Sequence, residues 1–233
     1  MDSLVQLGDD VCDCRLCPRL VGWREQVAID KRASYRNDVY WGRPVPGFGD
    51  PLAAIAVLGL APAAHGANRT GRVFTGDRSG DWLFRAMHRA GLANQPTSTA
   101  IDDGLQLINA WVTAAVKCAP PDNKPSPDER DSCRPFLVRE LALLSELRVV
   151  VCLGGFAYQA ACTHFGVRPR PAFGHGVEVA TPQGLLLVCS YHPSQQNTFT
   201  GRLTEPMIDA VFQRAGALAR NDLGAKQNRG QPT

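Results

Sequence analysis

No apolar run in this 233-residue chain approaches the roughly 18 residues of a membrane-spanning helix, so the chain does not read as a membrane protein. The opening MDSLVQLGDDVCDC is acidic and has neither the basic start nor the apolar stretch of a secretory signal. The expectation is a cytosolic, reducing setting with no membrane partner. Two common phosphate-binding signatures are missing as well. The glycine-rich stretch that begins at Gly59 lacks the Gly-Lys-Ser/Thr ending of a Walker loop, and no G-x-G-x-x-G occurs in it. There are no internal repeats and no low-complexity tracts. Nor is one charge in large excess. The net charge is +3, too little by itself to indicate a nucleic-acid partner.

What charge there is, however, is unevenly placed. Residues 61–90 carry Arg69, Arg72, Arg78, Arg85 and Arg89 against Asp77 and Asp81, a local excess equal to that of the whole chain. Hydrophobic content of 44% and charged content of 20% are ordinary for a globular protein, and the length allows a sizeable core. Four apolar runs have the composition of buried strands: 53–60, 110–116, 148–155 and 185–191. Helical patterns at 81–92, 126–147, 156–166 and 204–220 separate or follow them, with Ser79 or Asp81 as a candidate cap for the first. Strands alternating with helices predict an α/β fold, a parallel sheet covered on both faces. Such sheets bind ligands beyond the carboxyl ends of their strands. The segments 59–80, 117–127, 154–156 and 192–203 should therefore meet at one rim. The first 50 residues are expected to wrap the sheet. The whole reads as one domain over 1–220, with 221–233 as a disordered tail.

Eight cysteines in a chain with no export signal argue for metal or reactive thiols rather than disulfides. Cys14 and Cys17 are spaced to chelate one centre from a tight turn, and Cys118 and Cys133 form a second pair at a strand end and in the following helix. Cys12 is a rival for Cys14. Cys152, Cys162 and Cys189 fall inside strand or helix cores, where cysteine acts as a small hydrophobe. Four thiolates suit zinc or an iron–sulfur cluster, and the second pair's lack of a C-x-x-C knuckle tilts the choice toward iron–sulfur.

Two loops carry the other candidate chemistry. GLAPAAHGANRTGRVFTGDRSG (59–80) combines glycines that let a ligand approach backbone with arginines that attract phosphate. Phe74, between Arg72 and Asp77, is placed for stacking on a base. HPSQQNTFTGRLT (192–204) puts His192 at a strand end, held by proline, where its imidazole can face a ligand. His65 lies inside the first loop.

These residues resemble the uracil-DNA glycosylase superfamily, and within it the iron–sulfur type B, or family 5, enzymes. The likeness rests on CRLC at 14–17, the block at 59–80, VKCAPPDNKP at 116–125 with Cys133, and YHPSQQNTFTGRLT at 191–204. It implies a three-layer α/β/α sandwich around a four-stranded parallel sheet. It implies a [4Fe–4S] cluster of structural role on Cys14, Cys17, Cys118 and Cys133. It also implies a monomer that removes uracil, and often other deaminated bases such as hypoxanthine, from DNA.

On that resemblance Asp77 and His192 are the expected catalytic groups. Asp77 would stabilise positive charge on the sugar and orient water, while His192 would donate to the leaving base. Phe74, Ala61, Ala114, His65, Gly71, Arg72, Asn197 and Arg202 are the expected substrate contacts, with Arg72 on a phosphate. Phe199 and Leu203 are candidates to fill the gap left by a flipped base. The chain departs from relatives at Leu60 and Ala61, where others carry an acid, and at Ala114, where many carry an asparagine. An alternative is a non-catalytic iron–sulfur protein that binds or senses nucleic acid.

Overall fold

The computed structural model describes residues 2–227, of which 221–227 are described as backbone alone. In chain order the elements are α1 (Leu4–Cys12), α2 (Pro18–Asp30), β1 (Phe48–Gly49), β2 (Ile55–Gly59), α3 (Ala67–Thr70), α4 (Arg78–Arg89) and β3 (Ala110–Ala114). There follow α5 (Pro127–Leu143), β4 (Val149–Leu153), α6 (Gly155–His164), β5 (Glu178–Ala180), β6 (Leu186–Ser190), α7 (Gln195–Phe199) and α8 (Glu205–Gln227).

The four apolar runs become β2, β3, β4 and β6, parallel to one another and buried almost throughout. The sheet order is β1-β3-β2-β4-β6-β5, with β1 and β5 antiparallel on the two edges. The expected four-stranded sheet is thus the centre of a six-stranded mixed one. The two edge strands are only two and three residues long, too short to carry an alternating pattern. Among the described residues no helix is long and apolar enough to cross a membrane.

Strand residues alternate between two cores, as the pleat requires. Ile55, Val57, Val112, Val149 and Val151 face α4 and α8, meeting Leu83, Phe84, Ile208 and Phe212. Ala56, Leu58, Val150 and Leu187 face α5 and α6, meeting Leu137, Leu141 and Tyr158; Cys152, Cys162 and Cys189 fill this same core. The result is a three-layer sandwich. In the N-terminal region α1 packs on α5, α2 on α3, and β1 extends the sheet. Helix α8 continues to Gln227, so the segment expected as a tail is helical over 221–227, and 228–233 lie outside the described residues.

Local chemistry sets the helix starts. Ser126 and Glu129 form a reciprocal capping box at α5, while α4 is capped by Asp77 rather than by Ser79 or Asp81. The chain runs from β2 to β3 on one side, then crosses back past β2 to β4. The strand order therefore reverses between β2 and β4, and a crevice opens beyond their carboxyl ends.

An ion pair between β3's outgoing segment and α5 lies inside the fold. Lys117 Nζ donates to Glu140 Oε2 and Thr113 Oγ1, and Glu140 also accepts from Trp111 Nε1 and the Gly47 amide. Both side chains are fully buried, so either charge left alone would have no solvent to replace its partner. Lys117→Met should lower unfolding free energy by about 3–5 kcal/mol in urea titrations. A loss below about 1 kcal/mol would show that Glu140 is held well enough by its neutral donors.

Candidate active site

The crevice is a cleft of about 480 Å3, walled by the loops after β2, β3 and β6. The β2 loop supplies Leu60, Ala61, Ala63, Phe74 and Asp77; the β6 loop supplies His192. Phe74 sits in left-handed backbone at φ 54°, which costs a side-chain-bearing residue about 1–2 kcal/mol. Its ring lies over Gly59 and its carbonyl against Gly80, each so close that a Cβ on either glycine would collide with it. Gly66 makes the same room for the Asp77 carboxylate. The glycines of this stretch therefore clear space for the protein's own side chains as well as for a ligand.

The turn is held by Arg72. Its Nε donates to Thr75 Oγ1 at 3.0 Å, and Nη2 donates to Ser98 Oγ at 2.9 Å and to both Asp103 oxygens at 2.8 Å. Burial works against the Asp103 charge, yet Arg72 and the amides of Leu105, Thr99 and Ala100 hold its carboxyl below the usual range. Arg72 is only 5% exposed, so the expectation that it meets a phosphate is corrected: it is an internal clamp.

Asp77 accepts from the Gly80 amide at 3.0 Å as the cap of α4. Burial raises its pKa, the Gly80 and Ser79 amides opposing the shift. His192 follows β6 with its carbonyl accepting from Asn197 Nδ2 at 2.8 Å and its ring centroid 5.9 Å from that of Phe74. Burial pushes the imidazole down to about 4, so at neutral pH it is uncharged and carries one N–H donor. A half-buried acid, a neutral imidazole and an aromatic ring thus face one cavity.

The other expected contacts divide. Ala61 lines the cleft. Asn197 and Arg202 line an adjoining hollow, with the Arg202 guanidinium 4.6 Å from the Tyr191 ring centroid. His65, Gly71 and Ala114 are not among the cleft's lining. His65 Nδ1 shares a 3.0 Å hydrogen bond with Tyr40 Oη, Gly71 ends α3 against Trp41, and Ala114 is buried beside Gly59 in register. Leu203 is fully buried and cannot enter a ligand, whereas Phe199 is 66% exposed under the Arg78 guanidinium.

Arg78 is the one arginine of the 61–90 cluster that lines the cleft. Arg69 is bound to Asp38, and Arg85 and Arg89 pair with α8 carboxylates. Asn123, in left-handed backbone after β3, brings an amide to the wall, joined by Ser194, Gln195 and Gln196 from the start of α7. Sequence reasoning missed Asn123, and its place in the turn-rich APPDNKP was the available signal.

The thiols behave differently from the rest. Cys14, Cys17, Cys118 and Cys133 line one small cavity, and Cys12 does not. Arg24, 1% exposed, donates from Nη1 to Cys118 Sγ at 2.9 Å and from Nη2 to the Cys14 carbonyl at 3.3 Å. Its Nε is buried without a partner. The Lys117 amide donates to Cys133 Sγ. Burial, opposed by Arg24 and Lys117, pushes Cys118 up to about 11 and Cys133 to about 12. Among the described residues no three His, Cys, Asp or Glu side chains close on a single metal ion.

The family model described as the uracil DNA glycosylase superfamily matches residues 46–216. The type-5 uracil-DNA glycosylase of Mycobacterium tuberculosis (strain CDC 1551 / Oshkosh) is 53% identical over 220 residues, 93% of this chain and 82% of that protein. The type-5 enzyme of Thermus thermophilus is 54% identical over 207 residues, covering 88% and 94%. A type-4 uracil-DNA glycosylase of Archaeoglobus fulgidus is 33% identical over 160 residues, covering 68% and 63%.

The two cleft-side arginines should separate cleanly in stability measurements. Arg72→Met strands Asp103 and should cost about 3 kcal/mol in urea unfolding. Arg78→Ala, on an exposed side chain, should stay within about 0.5 kcal/mol. Equal losses for both would remove the clamp assigned to Arg72.

Proposed function

The chain belongs to the uracil-DNA glycosylase superfamily, and we propose that it is a type-5 glycosylase that takes uracil out of DNA and hydrolyses its N-glycosidic bond. The observation that carries this reading is the meeting of Phe74 and Asp77, from the loop after β2, with His192, from the loop after β6, in one cleft at the carboxyl ends of the strands. A base inside a duplex is out of reach, so it must be extruded into such a cleft. Phe74 stacks on it, and Arg78 at the cleft wall meets the strand's phosphate. Phe199 is the side chain left to fill the vacated stack.

When the C1′–N bond breaks, its electron pair leaves with the base and the sugar becomes cationic. The neutral His192 N–H donates to the base oxygen where negative charge grows. Asp77 faces the cation and orients the water that adds to C1′; the proton that water loses balances the anionic base. A protein that only bound nucleic acid would need no carboxylate at the α4 cap, where an amide serves as well, nor a neutral imidazole facing the same cleft. That favours the enzyme over the alternative of a sensor.

We propose in addition that hypoxanthine and other deaminated bases are accepted. Ala114 lies outside the cleft, so its lack of an amide does not bear on this, and Asn123 brings an amide to the wall instead. Its support is the size of the cleft and the small Ala61 and Ala63 on its wall.

The four-thiol cavity fits a [4Fe–4S] cluster on Cys14, Cys17, Cys118 and Cys133. The fit rests on Arg24: its guanidinium is buried against a cysteine sulfur, and its partner Glu25 is half-exposed and 3.8 Å away. Four thiolates around iron and sulfide would supply the missing negative charge. When bound, the cluster would tie the N-terminal segment to the loop after β3 and to α5. The protein is read as a monomer acting on DNA.

Asn caps a helix about as well as Asp, so Asp77→Asn keeps α4 while removing the charge. It and His192→Ala should each slow single-turnover uracil release by about 100-fold or more. In the unmodified protein the rate should fall as acid protonates Asp77, above the usual carboxylate range, and that limb should vanish in Asp77→Asn. Folding stability should also decline from about pH 6.5 toward 4, because the unfolded chain takes a proton that folded His192 refuses. A near-normal rate for either variant would remove that residue from the mechanism, and no hypoxanthine release would confine the enzyme to uracil.

Protein purified without oxygen should hold about four irons and matching sulfide per chain. Arg24→Gln should retain less iron, and Cys12→Ser should retain it all. Stoichiometric zinc without sulfide would overturn the assignment.

A further inference from the structure

The base cleft has a neighbour that the proposed chemistry does not use. A hollow of about 280 Å3 opens on the far side of Leu60 and His192, beyond the ends of β4 and β6. Its walls are Phe156, Phe173 and Tyr191, and no carboxylate lines it. Large aromatics left half-exposed forfeit burial they would otherwise gain. Here they are also held in place. The Phe173 ring lies 6.2 Å from that of Tyr191 and 5.8 Å from that of Tyr158, whose hydroxyl donates to the Pro171 carbonyl at 2.9 Å. Tyr191 is fixed by its amide, which donates to His175 Nδ1 at 3.2 Å. The single cation of the hollow, Arg202, lies over the Tyr191 ring, is exposed, and has no carboxylate partner among the described residues.

A rigid aromatic wall with one free guanidinium matches a flat π-face linked to an anion: a nucleobase and its phosphate. His192 and Leu60 line both spaces, so the two adjoin, as sites for adjacent units of one strand would. We propose that this hollow is a second stacking subsite, which takes the base next to the excised one while Arg202 meets its phosphate. This rests on the reading of the first cleft as the uracil site. A neighbour in a duplex is paired and stacked on both faces, and leaving that stack costs a few kcal/mol. In a single strand it is free to enter. The subsite therefore favours single-stranded or locally melted DNA.

The test uses the full chain and oligonucleotides with 2-aminopurine on either side of a non-cleavable uracil nucleotide. In single strands, one flanking position should change fluorescence on binding, and Phe173→Ala should abolish that change. The same substitution should weaken single-strand binding by about 5- to 100-fold, the effect of one lost base–aromatic stack, and duplex binding by less than about twofold. Phe173→Tyr, which keeps a ring, should behave as the unmodified protein. Arg202→Gln should reduce the salt dependence of single-strand binding by about one phosphate contact. Equal losses on both substrates, or no fluorescence response at either neighbour, would overturn the subsite. If uracil release by the unmodified protein is intact, that failure belongs to the subsite and not to the first cleft; absent release would instead sink the glycosylase reading.

Discussion

The ligand-facing surface depends on a buried guanidinium. Arg72 holds Thr75, Ser98 and Asp103 at once, and in doing so fixes the turn that throws Phe74 into left-handed backbone. The strained turn costs about 1–2 kcal/mol. Hydrogen bonds to charged groups contribute about 1.5–3 kcal/mol each. The clamp therefore outweighs the strain several times over, and the ring stays over Gly59 before any ligand arrives. Preorganisation of this kind leaves less side-chain entropy to lose on binding.

The arginines divide their labour by depth. Arg24, Arg69 and Arg72 point inward and shape loops, Arg85 and Arg89 fasten α4 to α8, and Arg78 and Arg202 remain at the ligand-facing surface. A sequence count of basic residues therefore overstates the positive field at the cleft. His192, held neutral by burial, adds no charge there. Polarity in the cleft rests on oriented dipoles, the Asp77 carboxylate and one exposed cation.

Much of this was legible in the sequence. The central strands, the main helices and the convergence of loops at one rim follow from apolar runs and the strand–loop–helix rhythm; Phe74 and His192 stand out by their place in those loops, and the choice of Asp77 comes from the resemblance to the family. What escaped depends on side-chain direction and depth. Arg72 and Arg78 lie six residues apart in one loop, and nothing in their local sequence tells the buried clamp from the exposed cation. Ala114 reads as the end of a strand at the rim, but it is buried level with Gly59 and is not among the residues lining the cleft. Asn123 depends on a left-handed turn that composition does not reveal. The aromatic hollow joins residues from the end of β4, the start of α6, the segment before β5 and the loop after β6, and only the folded sheet brings them together.

The cap of α4 has a wider meaning. One carboxylate both starts a helix and, on the proposed chemistry, serves the reaction, so folding and turnover place demands on the same atoms. The folding demand is the more lenient, because an amide meets it as well. A lineage that lost the charge at this position would keep a well-folded protein able to grip a damaged strand. Such a protein would shelter the lesion from other repair rather than clear it, and selection would have to act on catalysis directly, since abundance and solubility would give no sign of the loss.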